Sequence, residues 1–242
     1  MDSESLWAGI LDRFLRRGPE LGAQDRQRVG NWMRRSPQRV STALAKARFV
    51  VLDTETSGLD VRRDRLLSIG ACIVSEGKLS VAQHFYREIR QEQSSSTDNI
   101  LLHGIGGSAQ RAGEPEAEVL ASFLEFAGKH ALVAFNAPFD EQFLARAMHR
   151  HLGVRFALPW IDLAQLPKAM YPADAQERLT LDDWLARFSI VHLERHNALA
   201  DAFCTAQLLL VMLDKAKREG YSNVRGLLRA QRNYQWQRHR TE

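Results

Sequence analysis

Five residues carry the chemistry that can be read from this chain: Asp53 and Glu55 in FVVLDTETSGL, Asp140 in LVAFNAPFDEQF, and His196 with Asp201 in RHNALADAF. Four are carboxylates in apolar surroundings, where an ionised acid is costly unless it is paired or binds a cation. Asp53 and Glu55 lie two apart in a β-branched run. As strand residues they leave the same face, while Thr54 leaves the other. Side by side they repel each other, and one pKa rises unless a cation lies between them. Oxygen donors of this kind suit Mg2+ or Mn2+ rather than zinc, which favours nitrogen and sulfur. The pattern points to a divalent-metal site.

Taken singly, the remaining residues also have plainer readings. Asp140 follows Asn136-Ala137-Pro138-Phe139 at a strand-to-helix junction, where an Asp is favoured by capping and by the helix dipole. His196 and Asp201, five apart, straddle the start of a long helix, and a histidine beside an Asn and an Arg is ordinary at a surface. Asp162, a fifth acid at a strand end, reads as a helix cap.

The elements that must position these residues change character along the chain. Over residues 1–47 the pattern is helical: Leu6, Ile10, Leu11, Phe14 and Leu15 recur at helical spacing until Gly18-Pro19, a second helix is expected over Ala23 to Arg35, and a third after Pro37. From Phe49 the run FVVLDTE is that of a buried central strand. Leu66 to Ser75 and Leu79 to Ile89 follow as strands joined by a hairpin turn at Glu76-Gly77, and residues 91–99 are a polar loop. Beyond it come a helix over Glu116 to Gly128, a strand over Ala131 to Phe135, a helix from about Pro138 to Leu152, and a brief strand ending near Ile161. Helices are then expected over 162–171, 180–187 and Ala198 to Arg218, with a basic tail after Gly220 that starts as a helix. A three-strand meander followed by alternating helices and strands predicts an α/β fold, a mixed sheet with helices on both faces.

The 242 residues suffice for one substantial domain, and 45% hydrophobic with 26% charged residues is a globular composition. The two cysteines, Cys72 and Cys204, lie far apart in apolar stretches, which excludes a disulfide framework and makes a reducing cytoplasm the expected setting. The start, MDSESLWAGILDRFLRR, lacks the apolar region of a secretory signal, and the run Leu208 to Leu213 is too short to span a bilayer. A net charge of +4 hides a segregation: residues 1–48 hold ten Lys/Arg against five Asp/Glu, residues 215–242 eight against two, and residues 49–214 fifteen against twenty-two. The basic flanks suit either a phosphate-bearing partner or simple solvation.

In order and local setting, the three acidic segments resemble the three motifs of the DEDD superfamily of DnaQ-like exonucleases, in the branch with a histidine in the third motif. FVVLDTETSGL matches the first motif, Asn136-Ala137-Pro138-Phe139-Asp140 the second, and His196-Asn197-Ala198-Leu199-Ala200-Asp201-Ala202 the third. The tyrosine branch places a Tyr where this chain has Asn197. LLHGIG, Trp160-Ile161-Asp162 and LTLDDWLARFSI extend the resemblance over about residues 49–213. Phe135 stands where many relatives have a histidine, and Gly107 where the family often has Thr, which bears on substrate preference rather than on the metal ligands.

The resemblance implies a ribonuclease H-like mixed five-stranded sheet, divided here into a basic helical extension (1–47), an exonuclease domain (48–214) and a basic helical tail (215–242). It implies a 3′-to-5′ exonuclease that hydrolyses single-stranded DNA ends to nucleoside 5′-monophosphates with two divalent cations, Mg2+ or Mn2+, about 3.5–4 Å apart. In that scheme Asp53 bridges the cations, Glu55 and Asp201 hold the cation that binds the nucleophilic water, Asp140 serves the second, and His196 is the general base. Thr54, Thr56, Ser57, Leu59, Asn136, Phe139 and His196 border the terminal nucleotide, with Leu59 and Phe139 equally readable as core. His103 reads as a structural hydrogen-bonding residue near the cleft. The implied partner is nucleic acid with a free 3′ end, alongside a DNA polymerase subunit as in the proofreading epsilon subunit, and no membrane. Two alternatives are an RNA-trimming or short-oligonucleotide nuclease of the same superfamily, and a polymerase-associated binding module.

Overall fold

β-Branched and aromatic residues build the centre of the molecule as a five-stranded sheet. The computed structural model describes residues 20–172, 179–192 and 196–238. Strands β1 (Arg48–Thr56), β2 (Leu66–Ser75), β3 (Lys78–Glu88), β4 (Ala131–Ala134) and β5 (Trp160–Asp162) lie in the order β3-β2-β1-β4-β5. The first three pair antiparallel, while β4 and β5 run parallel to β1. The turn between β2 and β3 places Glu76 and Gly77 at φ 53° and 69°, the left-handed geometry that matches hairpin twist.

Helices α1 (Ala23–Arg34), α2 (Thr97–His103), α3 (Gly107–Ala112), α4 (Glu116–Ala127), α5 (Ala137–Leu152), α6 (Leu166–Met170), α7 (Leu181–Arg187), α8 (Ala198–Arg218) and α9 (Val224–Arg238) complete the described residues. Alternation along β1 assigns them to faces. Val50 and Leu52 bury into one core with α4, α5 and Trp32 of α1. Phe49 and Val51 bury into the other with α6, α7, α8 and the start of α9. Because the strand period is two, Thr54 continues the α5 side, and Asp53 and Glu55 continue the α8 side. This parity decides where each acid meets its neighbours.

The expected mixed sheet with helices on both faces is present, and α8 spans the range read from the sequence. The helix expected over Leu6 to Leu15 lies outside the described residues. Two expectations are corrected. No helix follows Pro37: apart from a 3-10 turn at Leu44–Lys46, the segment is stitched to its neighbours, with Gln38 N–H donating to Lys129 O (2.9 Å) and Arg225 N–H to Val40 O (2.7 Å). Those partners satisfy backbone groups that a helix would otherwise have paired internally. The polar loop ends early, because Ser96 accepts from Asn99 N–H and caps α2, and Gly104 at φ 72° stops that helix. Helices of seven and six residues are too short to show a 3.6-residue period. Among the described residues no helix is long and apolar enough to cross a membrane. Cys72 is buried, which raises its thiol to about 12, and no disulfide joins it to Cys204.

Candidate metal centre and active site

The carboxylates converge through one missing side chain. Gly70 of β2 pairs with Asp53 of β1, and a Cβ there would meet the backbone of Ala198 and Leu199 at 2.2–2.4 Å. Only glycine lets the first turn of α8 lie this close to the sheet. Asn197 holds that turn, its side chain accepting from Leu199 N–H (3.1 Å) and Ala200 N–H (3.2 Å). Asp201, one turn on, is thereby brought to the strand acids: carboxylate oxygens of Asp53, Glu55 and Asp201 lie within 4.8 Å of one another.

Asp140 approaches from the opposite face. Asn136 enters α5 in the left-handed region at φ 62°, a conformation that Asn tolerates better than most residues. Asp140 in the first turn is 2% exposed, and its Oδ1 accepts a 2.8 Å bond from the hydroxyl of Thr54. Asp162 caps the start of this helix rather than of its own: its Oδ1 accepts from Asn136 N–H (3.0 Å), Ala137 N–H (3.3 Å) and Ala164 N–H (2.9 Å).

Four acids so close cannot all ionise at ordinary pH without a counter-charge. Burial, then Asp140, Glu55 and Asp201, hold Asp53 well above the usual carboxylate range. Glu55 is pushed up to about 8 by burial and then by Asp201 and Asp140. Asp140 is pushed up to about 7 by burial, with the Thr54 bond working against the shift and Asp162 adding to it. An all-oxygen, partly buried donor set of this charge fits hard divalent cations.

His196 sits in a turn at φ 58°, half-buried, immediately before the Asn197 cap. It lies near enough to His103 to lower that residue's proton affinity, after burial, which is the larger cause. The acid–imidazole contact at Asp201 is made by a different histidine, which sequence reasoning missed. His192 Nε2 stands 2.7 Å from Asp201 Oδ1, and its Nδ1 is 3.4 Å from Asp182 Oδ1. Its position nine residues before Asp201 gives no periodic signal. Gly70 was detectable as a glycine inside an apolar strand.

The residues expected to border the terminal nucleotide have different settings. Thr56 bonds Gly58 O (2.7 Å), and Ser57 bonds the carboxylate of Asp64 (3.0 Å) across the 57–65 loop. Leu59 is 84% exposed at the tip of that loop, whereas Phe139 packs on Phe143 with centroids 4.8 Å apart. The end of β1 is held from α2: Asn99 donates to Thr56 O (3.1 Å), and its Oδ1 faces His103 Nε2 at 2.8 Å. Ile105 N–H donates to His103 Nδ1 (2.9 Å), so Nε2 carries the proton toward Asn99. His103 is thus a structural bracket for the strand end that bears Glu55.

Residues 50–209 match the exonuclease family RNase_T. A DNA polymerase III subunit epsilon-like protein of Rhodobacter capsulatus is 32% identical over 190 residues, 77% of this chain and 27% of that protein. The PolC-type DNA polymerase III of Thermotoga petrophila is 29% identical over 76% of this chain and 13% of its own length. The chain thus spans about an eighth of the PolC-type relatives. In fold it is similar to E. coli Exonuclease I in complex with a dT13 oligonucleotide (TM-score 0.63, 19% identity, 72% of this chain and 42% of that one). It is likewise similar to Exonuclease X in complex with 5′ overhanging duplex DNA (TM-score 0.58, 20% identity, 76% and 99%). With the matched residues enclosing all four acids and the histidine of the third motif, the chain belongs to the RNase_T family of DnaQ-like 3′-to-5′ exonucleases.

Proposed function

We propose that this protein is a DEDDh-type exonuclease that removes nucleotides one at a time from the 3′ end of single-stranded DNA and releases nucleoside 5′-monophosphates. The observation that carries this reading is the convergence of Asp53, Glu55 and Asp201 within 4.8 Å, with Asp140 bonded to the intervening Thr54. Asp53, Glu55, Asp140 and Asp201 would hold two Mg2+ or Mn2+ ions. When bound, such ions neutralise the carboxylates and the charge that develops on the oxygens of the scissile phosphate.

The chain's own groups have separate tasks. A water oxygen bonds to phosphorus, the bond from phosphorus to the 3′ oxygen of the preceding nucleotide breaks, and that oxygen takes a proton from solvent and leaves as a hydroxyl. His196 accepts the proton from the attacking water, since an imidazole takes a proton near neutral pH. Thr54 orients Asp140, while Thr56, Ser57, Leu59, Asn136 and Phe139 confine the terminal nucleotide. The catalytic unit is residues 48–214, with residues 1–47 and 215–242 as basic supports. Trp32 and Leu227, buried in opposite cores, tie those supports to the sheet. The polymerase context of the relatives supports a polymerase partner, which the proteins retained with this chain during purification would identify.

Purified protein given Mg2+ or Mn2+ and a 5′-labelled single strand should produce a ladder of fragments shortened from the 3′ end, and Asp53→Ala should abolish it. An intact strand with both ions sinks the proposal. Faster trimming of RNA than of DNA overturns the DNA assignment alone.

A further inference from the structure

Outside the acidic cleft, six arginines of the domain meet in one cavity. The cavity, of about 510 Å3, is lined by Arg62, Arg63, Arg65, Arg90, Arg146 and Arg150. Residues 49–214 carry fifteen Lys/Arg in all and are net acidic, so six in one cavity is a concentration against the trend. Three carboxylates share the walls, Asp64, Glu92 and Glu116, leaving an excess of arginine. Among the described residues the guanidinium groups of Arg62, Arg65 and Arg150 hold no hydrogen bond or ion pair. Crowded cations with unused planar donors are suited to an anion that accepts two bonds at once, and phosphate is the common one.

Placement narrows the ligand. The cavity's floor is α5 and its wall is the 57–65 loop, the two elements that also carry Asp140 and follow Glu55. Arg146 clamps them together by donating to Val61 O and to Asp64 O. At 1.5 Å per helical residue, Arg146 and Arg150 stand about 9 and 15 Å along the axis from Asp140. At about 3.4 Å per nucleotide of a stacked strand, that is three to four phosphates from the scissile bond.

We infer that this arginine cavity binds the phosphodiester backbone of the substrate strand, upstream of the nucleotide being removed. The inference rests on the exonuclease reading and extends it to a second contact. Glu116 opposes binding. Its carboxylate is held up by burial, which exceeds the opposing pull of His151, Arg150, Arg146 and Arg65. Burial thus weakens the opposition of Glu116 without removing it, and the arginines outnumber the three wall carboxylates that limit the affinity.

The test compares wild type with Arg62→Ala/Arg150→Ala on a dinucleotide and on a single strand of about 20 nucleotides, which is long enough to reach the cavity. The double variant should keep its kcat on both and its KM on the dinucleotide, and should raise KM about tenfold on the long strand. Its log–log salt slope should be shallower by about 1.4, the release expected for two lost phosphate contacts on a single strand. Arg62→Lys/Arg150→Lys should restore the slope, and Glu116→Gln should lower KM, a gain that misfolding cannot produce. Fluorescence anisotropy of the same strand in EDTA reads the cavity without turnover, so a protein that cleaves nothing but binds in this pattern separates failure of the enzyme reading from failure of this one. Unchanged KM and salt slope on the long strand overturn the inference. So does a loss confined to blunt duplex, which would place the complementary strand in the cavity.

Discussion

The two faces of β1 solve the same electrostatic problem in opposite ways. Toward α8, Asp53 and Glu55 meet Asp201 with no cationic Lys or Arg among the causes that set their proton affinity, so burial, then repulsion from Asp201 and from Asp140 on the other face, hold both well above the usual carboxylate range. Toward α5, Asp140 is buried more deeply than either, yet the Thr54 hydroxyl and backbone N–H groups offset part of the cost. One face stores repulsion that a cation would relieve, and the other is already hydrogen-bonded. The first should therefore depend most on a bound cation, while on the second the Thr54 bond sets how Asp140 is presented to it.

Neutralising Asp53 is the harshest test of that contrast. Asp53→Asn should lower kcat by about a thousandfold or more, equivalent to roughly 4 kcal/mol in the barrier. The same change should raise the melting temperature of the metal-free protein, because one repelling charge is gone. Activity assays with Mg2+ and thermal melts in EDTA read the two effects separately. A variant that loses activity and also melts lower would show that the α8 face is not electrostatically strained.

The same strain sets a pH dependence. Glu55 binds its proton more tightly in the folded chain (about 8) than at its ordinary value of 4.5, so between these the unfolded chain is ionised while the folded one remains protonated. Stability of the metal-free protein should fall as pH rises from about 4.5 to about 8, by at most on the order of 5 kcal/mol for this one group. Asp53, raised in the same direction, adds to the fall. Mg2+ should flatten the curve by binding the ionised carboxylates, stabilising most at the alkaline end. Melts in EDTA and in Mg2+ across that range check it. A metal-free protein that gains stability toward pH 8 contradicts the assignment.

Gly70→Ala probes the approach of α8. The new Cβ falls 2.2–2.4 Å from the Ala198–Leu199 backbone, so the helix start must move and take Asp201 with it. A shift of that kind should reduce kcat about a hundredfold, with a loss of about 1–3 kcal/mol in stability from overpacking. Denaturant unfolding and single-turnover cleavage give the two numbers.

Much of this arrangement was legible in the sequence, because it rests on parity and order. Asp53 and Glu55 share a face by strand period, and a helix over Ala198 to Arg218 was expected where α8 lies. The residues that escaped are those whose roles need a third dimension. His192 reaches Asp201 across a loop, and Asn99 reaches Thr56 from a seven-residue helix with too few turns to show a period. The arginine cavity draws on four separate segments, so the run Arg62-Arg63-Asp64-Arg65 alone does not announce it. The segment after Pro37 misled for the opposite reason: a residue suited to begin a helix stands there, but long-range backbone partners override the local preference.

Thr54→Val is the mildest test, and it bears on the quieter face. The substitution keeps the β-branched shape of a strand residue and removes only the donor to Asp140 Oδ1. Asp140 then loses the bond that holds its proton affinity down, so its pKa should rise above about 7 in the metal-free protein. With the carboxylate free to rotate, kcat should fall about tenfold, in line with roughly 1.5 kcal/mol for a hydrogen bond to a charged group. The pH at which activity reaches half its maximum should move upward. Metal affinity should change little, because all four carboxylates remain and only the bond that orients Asp140 is lost. Titrating Mg2+ or Mn2+ against activity separates these outcomes: a large loss of metal affinity with unchanged kcat would show that the Thr54 bond serves cation binding rather than the orientation of Asp140, and the two faces of β1 would no longer be distinct in function.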